Sequence, residues 1–310
     1  MVATLKELAA KEDKLSPGHR LCAGCGASVV ARMILNASAL PVVVASATGC
    51  MEVSTTIFPY TSWRSSFIHN AFENSAATMS GVEAAYRALK RKGKMKDDFN
   101  FVAFGGDGGT FDIGLQSLSG AFERGHRMLY VCYDNEAYMN TGIQRSGATP
   151  MGAWTTTSEV GKKQAGKIQH RKDLTGIMAA HGGYVAQASP SNWRDLVKKA
   201  EKAFAFNGPS FINVLAPCPR GWRFPSEQTI EFARLAVETC YWPLFEVEGG
   251  KYKINVKPKT KKPVAEWLKP QGRFKHLFKD VNADKLDEIQ RFVDDQWDRL
   301  LALESACRLD

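Results

Sequence analysis

Four cysteines in three separate segments are the residues whose types and spacing most clearly suggest chemistry. Cys22 and Cys25 lie in the segment LCAGCG, Cys50 ends the segment ATGC, and Cys218 lies in APCPRGW. Two thiolates separated by two residues can bind one metal centre from a single loop, and two more from distant loops would complete a shell of four. Such a shell is typical of an iron-sulfur cluster or of zinc.

A second group of polar residues indicates a bound diphosphate. Asp107 lies in GGDGG directly after the apolar stretch NFVAF, and Asn135 follows the stretch MLYVCYD. Glycines allow a close approach of the backbone to phosphate, and Mg²⁺ prefers a few protein oxygens together with substrate phosphates. The carboxyl ends of parallel strands share one edge of the sheet, so these residues and a nearby backbone carbonyl predict a magnesium-diphosphate site. A structural glycine-rich turn is the alternative.

The elements that position these residues alternate between apolar stretches of strand length and segments of helical periodicity. This pattern predicts an α/β fold with a mostly parallel sheet covered by helices on both faces. The predicted strands span residues 41–47, 100–104, 128–133, 184–188 and 210–215. The predicted helices span residues 74–92, 113–124 and 191–206.

Two further segments have distinct compositions. Residues 135–172 are rich in Gly, Thr, Ser and Lys without periodicity, which predicts a long functional loop. After about residue 238 the composition shifts to Lys, Pro and aromatic residues, and residues 283–307 have helical spacing. We therefore predict a main domain of residues 1–237 and a C-terminal extension of residues 238–310 that packs on the main domain or on a partner.

Composition limits the class of protein. A chain of 310 residues with 44% hydrophobic content can bury a substantial core. The sequence shows neither a signal peptide nor an apolar stretch long enough for a membrane span, so we expect a cytoplasmic protein without membrane contact. Seven scattered cysteines argue against a disulfide framework, and Cys132, Cys240 and Cys307 are expected to be structural.

The formal net charge of +9 does not by itself indicate nucleic-acid binding. The densest basic run, residues 257–262, has no interleaved aromatic residues that could stack on bases. We interpret this run as a solvated connector, with attraction of an acidic protein partner as the alternative.

The motifs together resemble a known family. The GDG motif followed by a strand and an asparagine resembles the thiamine diphosphate motif, in which Asp107, Asn135 and the carbonyl of Ala137 would hold Mg²⁺. With LCAGCG, ATGC, FGGDGGTFDIGLQSLSGAFERGH, YDNEAYMNTGIQRSGATP and APC, the chain resembles the β subunit of the 2-oxoacid:ferredoxin oxidoreductases, nearest to the pyruvate synthase type. The resemblance runs from about residue 18 to residue 220, and two C-terminal segments also fit it.

The resemblance implies roles for individual residues. Cys22, Cys25, Cys50 and Cys218 match the ligands of a 4Fe-4S cluster near the thiamine cofactor. A four-cysteine zinc site is the alternative, although the wide spacing is unlike that of compact zinc ribbons. The residues expected to border the cofactor are Thr48, Gly49, Gly106, Asp107, Gly108, Gly109, Asn135, Ala137 and Asn140. Asn140 matches an active-site asparagine, with a turn residue as the alternative.

The polar residues His69 and Asn70 precede the helix predicted at 74–92. For Asn70 we predict a role as the N-cap of that helix. For His69 we predict a structural histidine whose ring is satisfied by neighbouring groups.

The resemblance also implies an activity and partners. The family decarboxylates a 2-oxo acid oxidatively and passes electrons through iron-sulfur clusters to ferredoxin, and pyruvate-type members transfer the acyl group to coenzyme A. Pyruvate is the first expectation, while oxalate and other 2-oxo acids are alternatives, as is a non-redox thiamine diphosphate decarboxylase. The chain lacks the cysteine pattern of outer clusters, so α, γ and δ-type subunits are expected. Phe111, Asp112 and the loop after Asn135 are expected to help form a pocket shared with a partner.

Overall fold

The computed structural model describes residues 4–279 and 282–307, and the side chain of Ala283 is outside that description. The predicted domain boundaries therefore include a few residues outside the described ranges. Eleven α-helices occur in these ranges: α1 Leu5–Ala9, α2 Gly26–Ala37, α3 Cys50–Thr55, α4 Ser75–Arg91, α5 Leu115–Glu123, α6 Leu174–Ala180, α7 Trp193–Ala205, α8 Pro219–Trp222, α9 Thr229–Glu238, α10 Val264–Leu268 and α11 Ala283–Ala306. Within the same ranges, no helix is both long enough and apolar enough to cross a membrane.

Eight strands form one sheet. They are β1 Val42–Ala47, β2 Ser66–Asn70, β3 Asn100–Gly106, β4 Leu129–Asp134, β5 Tyr184–Ala188, β6 Ser210–Leu215, β7 Leu244–Glu248 and β8 Lys251–Val256. Their order is β2-β1-β3-β4-β6-β5-β7-β8. The first six run parallel, whereas β7 pairs antiparallel with β5 and β8 antiparallel with β7. The predicted α/β class and mostly parallel sheet are confirmed.

Both faces of the sheet are covered, which explains why its central strands are apolar without alternation. On one face of the sheet, helices α2 and α7 pack with alternate residues of the central strands. The strand residues buried on this face include Val102, Val131 and Tyr133. On the other face the intervening residues, such as Ala103 and Tyr130, pack with α4 and α5. The five predicted strands and three predicted helices all occur. No end of these elements differs from its predicted position by more than two residues.

The chain reverses direction across the sheet beside β1. From β1 it passes outward through α3 to β2, and it returns through α4 to β3 on the other side of β1. Such a switch point leaves a crevice at the carboxyl ends of the two diverging strands, where ligands bind in open α/β sheets. Ala47 and Gly106 end these strands, so the residues that follow them border the crevice.

The sequence prediction missed several elements and misplaced one residue. It did not include α2, β2, α6, α9, β7 or β8. The prediction that Asn70 caps a helix is wrong, because Asn70 ends β2 and α4 begins at Ser75 with Asn74 as its N-cap. Residues 70–74 contain two asparagines that could cap a helix, Asn70 and Asn74. Pairing of β2 with β1 extends the strand through Asn70, which leaves Asn74 as the cap.

The C-terminal segment is joined closely to the rest of the structure. Strands β7 and β8 extend the sheet, and α11 packs against β8. The basic run at residues 257–262 is held by ion pairs and is not fully solvated. Lys257 pairs with Glu304 at 2.6 Å, Lys262 pairs with Glu238 at 2.7 Å, and Lys261 pairs with Asp294. The division at residue 238 stays a prediction.

Candidate functional site

The polar residues predicted for the diphosphate site meet at the carboxyl edge of the sheet. One narrow cleft is lined by Thr48, Gly49, Cys50, Phe72, Gly106, Gly108, Gly109, Tyr133, Asn135, Ala137, Tyr138, Met139, Asn140 and Thr141. Every residue predicted to border the cofactor lines this cleft except Asp107, which is fully buried beside it. The topology explains this convergence, because β1, β3 and β4 are neighbours and all end at this edge.

The end of the Asn135 side-chain amide meets two oxygen atoms at the base of the cleft. It lies 2.9 Å from Oδ1 of Asp107 and 2.9 Å from the carbonyl oxygen of Ala137, and without an ion its nitrogen donates a hydrogen bond to each. With the amide rotated, its oxygen and these two acceptors would all be available to a cation. Ligands of octahedral Mg²⁺ at about 2.1 Å from the ion lie about 3.0 Å from one another. The observed spacing therefore fits three neighbouring ligands of a magnesium ion.

The carboxylate of Asp107 is held in place by groups that the sequence did not reveal. Its Oδ2 accepts a hydrogen bond from the Ser146 hydroxyl at 2.5 Å, and its Oδ1 accepts one from the backbone amide of Asn135 at 3.2 Å. Burial, reinforced by the nearby carboxylate of Asp134, raises the pKa of Asp107 well above its usual range. A divalent cation would reverse this balance, because it stabilises the ionised carboxylate.

Ser146 belongs to the long loop, which a buried lysine organises from within. The ammonium group of Lys167 donates to the carbonyl oxygens of Thr149 at 2.6 Å and Ser146 at 3.3 Å. Burial lowers the pKa of Lys167 to about 8. No sequence periodicity marks these contacts, because they join residues about twenty positions apart inside an irregular segment. The prediction that residues 135–172 form a loop is confirmed.

Behind the cleft lies a buried network of charges around Glu136. Its carboxylate pairs with Arg171 at 2.9 Å and with Arg273 at 2.5 Å, and it accepts a hydrogen bond from Tyr241 at 2.7 Å. Arg171 also pairs with Asp134 at 2.5 Å. Burial raises the pKa of Asp134 to about 6, although Arg171 opposes the rise. The network connects the C-terminal segment to the two residues that flank Asn135.

We expect replacement of Arg273 by methionine to destabilise the chain by about 3 to 5 kcal/mol, because it leaves the buried Glu136 with an incomplete set of partners. Arg273 is 2% exposed and lies on the ring of Trp222. Denaturant unfolding followed by tryptophan fluorescence measures the change. The control is Arg223→Met, which removes an exposed arginine stacked on Trp154 and should cost less than about 1 kcal/mol. Equal losses in the two variants would contradict the expectation.

The loops that carry the four predicted metal-binding cysteines also meet at this edge. Cys50 begins α3, the helix that follows β1 at the switch point. Cys25 and Cys218 occupy the N-cap positions of α2 and α8. Burial, then the charges of the other three cysteines, raise the pKa of Cys50 to about 12. The pKa of Cys218 rises to about 11, mainly through burial and in part through Cys25 and Cys22. The four thiols thus lie within electrostatic reach of one another.

The loops that carry these cysteines are fixed to each other by backbone contacts. The amide of Gly26 donates to the carbonyl of Pro217 at 3.1 Å, and the Thr229 hydroxyl donates to the carbonyl of Gly24 at 2.5 Å. The amide of Gly221 donates to the sulfur of Cys218 at 3.3 Å. In residues 4–279 and 282–307, no group of three or more His, Cys, Asp or Glu side chains is arranged to hold a metal ion. The thiols are neighbours that do not converge on one point.

The conformation of the loop between the first two cysteines requires glycine. Gly24 has φ of +70°, and a Cβ there would lie 2.1 Å from the carbonyl oxygen of Ser226. We expect Gly24→Ala to displace the loop and to lower the iron bound per chain by more than half, measured by metal analysis of anaerobic preparations. The control Gly18→Ala has a similar φ of +89° but open space around its Cβ, so it should cost only about 1–2 kcal/mol. Full iron content in Gly24→Ala would contradict this expectation.

Other predicted residues differ in where the structure places them. Asn140 is exposed at the mouth of the cleft, and Asp112 accepts a hydrogen bond from the amide of Gly147 at 2.9 Å. The prediction that Phe111 helps form a shared pocket is wrong, because its side chain is fully buried against Arg171. His69 is half exposed, and its Nε2 lies 3.0 Å from the Thr48 hydroxyl and 3.6 Å from Oε2 of Glu52, so the predicted contacts of the ring with neighbouring groups are present.

The remaining cysteines lie away from the cleft. Cys132 and Cys240 are buried, and the sulfur of Cys307 accepts a hydrogen bond from the amide of Tyr252 at 3.2 Å. None of the seven cysteines forms a disulfide. Their surroundings fit the predicted structural role for these three residues.

Comparison with known proteins agrees with this arrangement. Residues 47–214 match the family model "Thiamine pyrophosphate enzyme, C-terminal TPP binding domain". The chain is 54% identical to pyruvate synthase subunit PorB of Thermotoga maritima over 319 residues, which cover 99% of this chain and 98% of the relative. It is 47% identical to ketoisovalerate oxidoreductase subunit VorB of Pyrococcus abyssi, with 94% of each chain covered.

A solved structure shares the fold. It is the 2-oxoglutarate:ferredoxin oxidoreductase of Magnetococcus marinus, with a TM-score of 0.55 and 21% identity over 72% of this chain and 79% of that chain. The match supports the fold alone, whereas the sequence relatives cover nearly the whole chain at much higher identity. The chain therefore belongs to the family of β subunits of the 2-oxoacid:ferredoxin oxidoreductases.

Proposed function

We propose that the chain is the thiamine diphosphate-binding β subunit of a pyruvate:ferredoxin oxidoreductase that converts pyruvate and coenzyme A to acetyl-CoA and CO₂. The observation that carries the proposal is a single cleft that joins the three oxygens at Asp107, Asn135 and Ala137 to the Cys50 side of the cysteine group. The relative named pyruvate synthase subunit is 54% identical over nearly the whole chain.

The magnesium and diphosphate side of the proposed site uses residues with matching chemistry. Asp107, Asn135 and the carbonyl of Ala137 would hold Mg²⁺, and the narrow cleft at Gly106, Gly108 and Gly109 would receive the diphosphate. When bound, thiamine diphosphate supplies the carbanion that adds to the 2-oxo carbon and the electron sink for decarboxylation. Ser146 and the backbone amide of Asn135 orient the Asp107 carboxylate, and Thr48, Gly49 and Asn140 line the same cleft and would border the bound cofactor.

The redox side of the proposed site is a 4Fe-4S cluster held by Cys22, Cys25, Cys50 and Cys218, which accepts electrons one at a time. The wide spacing of these cysteines, 25 positions from Cys25 to Cys50 and 168 from Cys50 to Cys218, is unlike that of compact zinc ribbons and favours the cluster. Contacts of Gly24 with Thr229 and of Gly26 with Pro217 fix the loops that would carry it.

The proposed setting is a complex in the cytoplasm with α, γ and δ-type subunits, and ferredoxin is the electron acceptor. Unpaired cysteines suit a reducing compartment. The extension proposed at residues 238–310 supports the back of the site, because Tyr241 and Arg273 contact Glu136.

An anaerobic absorbance spectrum of the complete complex tests this function. We expect the iron-sulfur band to bleach when pyruvate and coenzyme A are added. Bleaching only with 2-oxoisovalerate would favour the branched-chain activity, for which the VorB relative at 47% identity is the supporting observation. Bleaching only with oxalate would move the proposal to that substrate without coenzyme A. A colourless complex would overturn the cluster assignment, and a coloured complex that no 2-oxo acid bleaches would overturn the redox reaction.

A further inference from the structure

The hydroxyl group of Tyr133 is buried and has no acceptor for its proton. Tyr133 lies on β4, its side chain is 1% exposed, and within the part of the chain that the structure describes the only backbone group that faces the hydroxyl oxygen is the donating amide of Met51. Buried hydroxyl groups in native structures are nearly always hydrogen-bonded, so one whose proton lacks an acceptor calls for an acceptor that binds later. A neutral phenol carries a proton at neutral pH and can donate it.

The surroundings of this hydroxyl are shaped to leave space beside it. A Cβ on Gly49 would lie 2.7 Å from the Tyr133 hydroxyl oxygen, and a Cβ on Gly106 would lie 3.3 Å from the ring and from the hydroxyl. Any larger residue at Gly49 would therefore displace the hydroxyl. Gly49 directly precedes Cys50, and Tyr133 and Cys50 line the same cleft. The hydroxyl thus lies between the cofactor cleft and the cysteine group.

Two groups could accept a hydrogen bond from this hydroxyl, namely a sulfur on the Cys50 side or a diphosphate oxygen on the Asp107 side. The hydroxyl oxygen lies 2.7 Å from the Cβ position of Gly49, which precedes Cys50, and 3.3 Å from the Cβ position of Gly106, which precedes Asp107. The hydroxyl is therefore nearer to the Cys50 side. The position of Gly49, which opens space between Tyr133 and the start of α3, agrees with this choice.

Resting on the proposed function, we infer that Tyr133 donates a hydrogen bond to the Cys50 sulfur of the bound cluster and thereby raises its reduction potential. A hydrogen bond to a ligand sulfur stabilises the reduced cluster, which carries more negative charge. The residue thus favours electron transfer out of the cofactor cleft. Tyr133 is a positioning residue that acts on the cluster and makes no contact with the substrate.

The experiment compares Tyr133→Phe with the unaltered protein in the complete complex, by redox titration followed by electron paramagnetic resonance. The signal that belongs to this chain is identified as the one lost in Cys50→Ala. In Tyr133→Phe we expect this signal to persist at a more negative potential. A tenfold shift of the reduction equilibrium towards the oxidised form would correspond to about 59 mV for one electron.

The matched control is Tyr130→Phe, which removes a buried hydroxyl from the same strand on the opposite face of the sheet. Tyr130 is bonded to Thr110 at 3.1 Å and lies in the other core cluster, so the potential should not change. An unshifted potential in Tyr133→Phe would overturn the inference, and so would an equal shift in both variants. Weaker thiamine diphosphate binding at an unchanged potential would assign the hydroxyl to the diphosphate instead. If Cys50→Ala removes no signal, the proposed function fails before the inference is reached.

Discussion

Replacing Asp107 by asparagine is expected to weaken the binding of thiamine diphosphate and Mg²⁺ by more than about 100-fold and to abolish turnover. The carboxylate is the single charged group among the three converging oxygens, and a metal ion contributes several kcal/mol through its charge interactions. Isothermal titration of the cofactor-depleted complex with thiamine diphosphate, with Mg²⁺ or with a chelator, measures the loss.

The same substitution should not destabilise the chain without its cofactors. Burial and the Asp134 carboxylate raise the pKa of Asp107, so ionisation of this carboxyl group costs more in the folded chain than in the unfolded chain. A neutral amide of similar shape removes that cost while it can still accept the hydrogen bond from Ser146. We therefore expect an equal or higher unfolding temperature before cofactor is added, and a smaller increase when it is added.

Asp195→Asn is the matched control for Asp107→Asn. Asp195 pairs with the buried Lys199 at 2.6 Å on α7, remote from the cleft. Its loss leaves a buried ammonium group unpaired, so this variant should be less stable but should bind the cofactor normally. Cofactor affinity that survives in Asp107→Asn, or that falls equally in the control, would show that Asp107 is not a metal ligand.

The part of the site that could be predicted from sequence is the part carried by local motifs. GGDGG and the residues after β4 are recognisable because each directly follows an apolar strand, and parallel strands bring their carboxyl ends together. The paired cysteines are recognisable by their spacing. Each of these signals lies within a few residues, and the topology of the fold then assembles them at one edge.

The supporting contacts could not be predicted in this way. Arg273 meets Glu136 across 137 positions of sequence, and the Trp222 indole donates to the Asn135 carbonyl at 2.8 Å across 87 positions. Neither residue has a neighbour in sequence that would mark its role. Glu136 has φ of +69°, a conformation that follows from its enclosure by Arg171, Arg273 and Tyr241 and not from its own preference.

The missed strands have a related explanation. Strand β2 has the burial pattern of an edge strand, with four of its five residues at least partly exposed, so it lacks a continuous apolar stretch. Strand β8 forms the opposite edge of the sheet, and only one of its residues is buried; β7 is buried at four of its five positions, but Glu246 and Glu248 interrupt its apolar stretch. Strands with one solvated face have weaker sequence signals than the buried central strands.

Replacing Cys218 by alanine is expected to remove the 4Fe-4S cluster while thiamine diphosphate still binds. Cys218 is the proposed ligand from the loop after β6, so three proposed cysteine ligands on two other loops would remain. An incomplete thiolate shell leaves one iron without its sulfur ligand, and we expect iron per chain to fall by about four atoms. Electron transfer to ferredoxin should fall by more than about 100-fold. Metal analysis, the absorbance spectrum and ferredoxin reduction measure these changes.

Cys240→Ala separates loss of a ligand from loss of a buried thiol. Cys240 is 3% exposed and lies in the C-terminal half, so the variant removes a similar volume without touching the cysteine group. It should keep its iron and its ferredoxin reduction. Loss of zinc instead of iron in Cys218→Ala would establish the zinc alternative. Retention of both iron and activity would exclude Cys218 as a ligand, because its Sγ is the only atom of the side chain able to bind the metal. Normal thiamine diphosphate affinity in Cys218→Ala would show that the metal and diphosphate halves of the cleft assemble independently, although the Trp222 indole connects the Cys218 loop to Asn135.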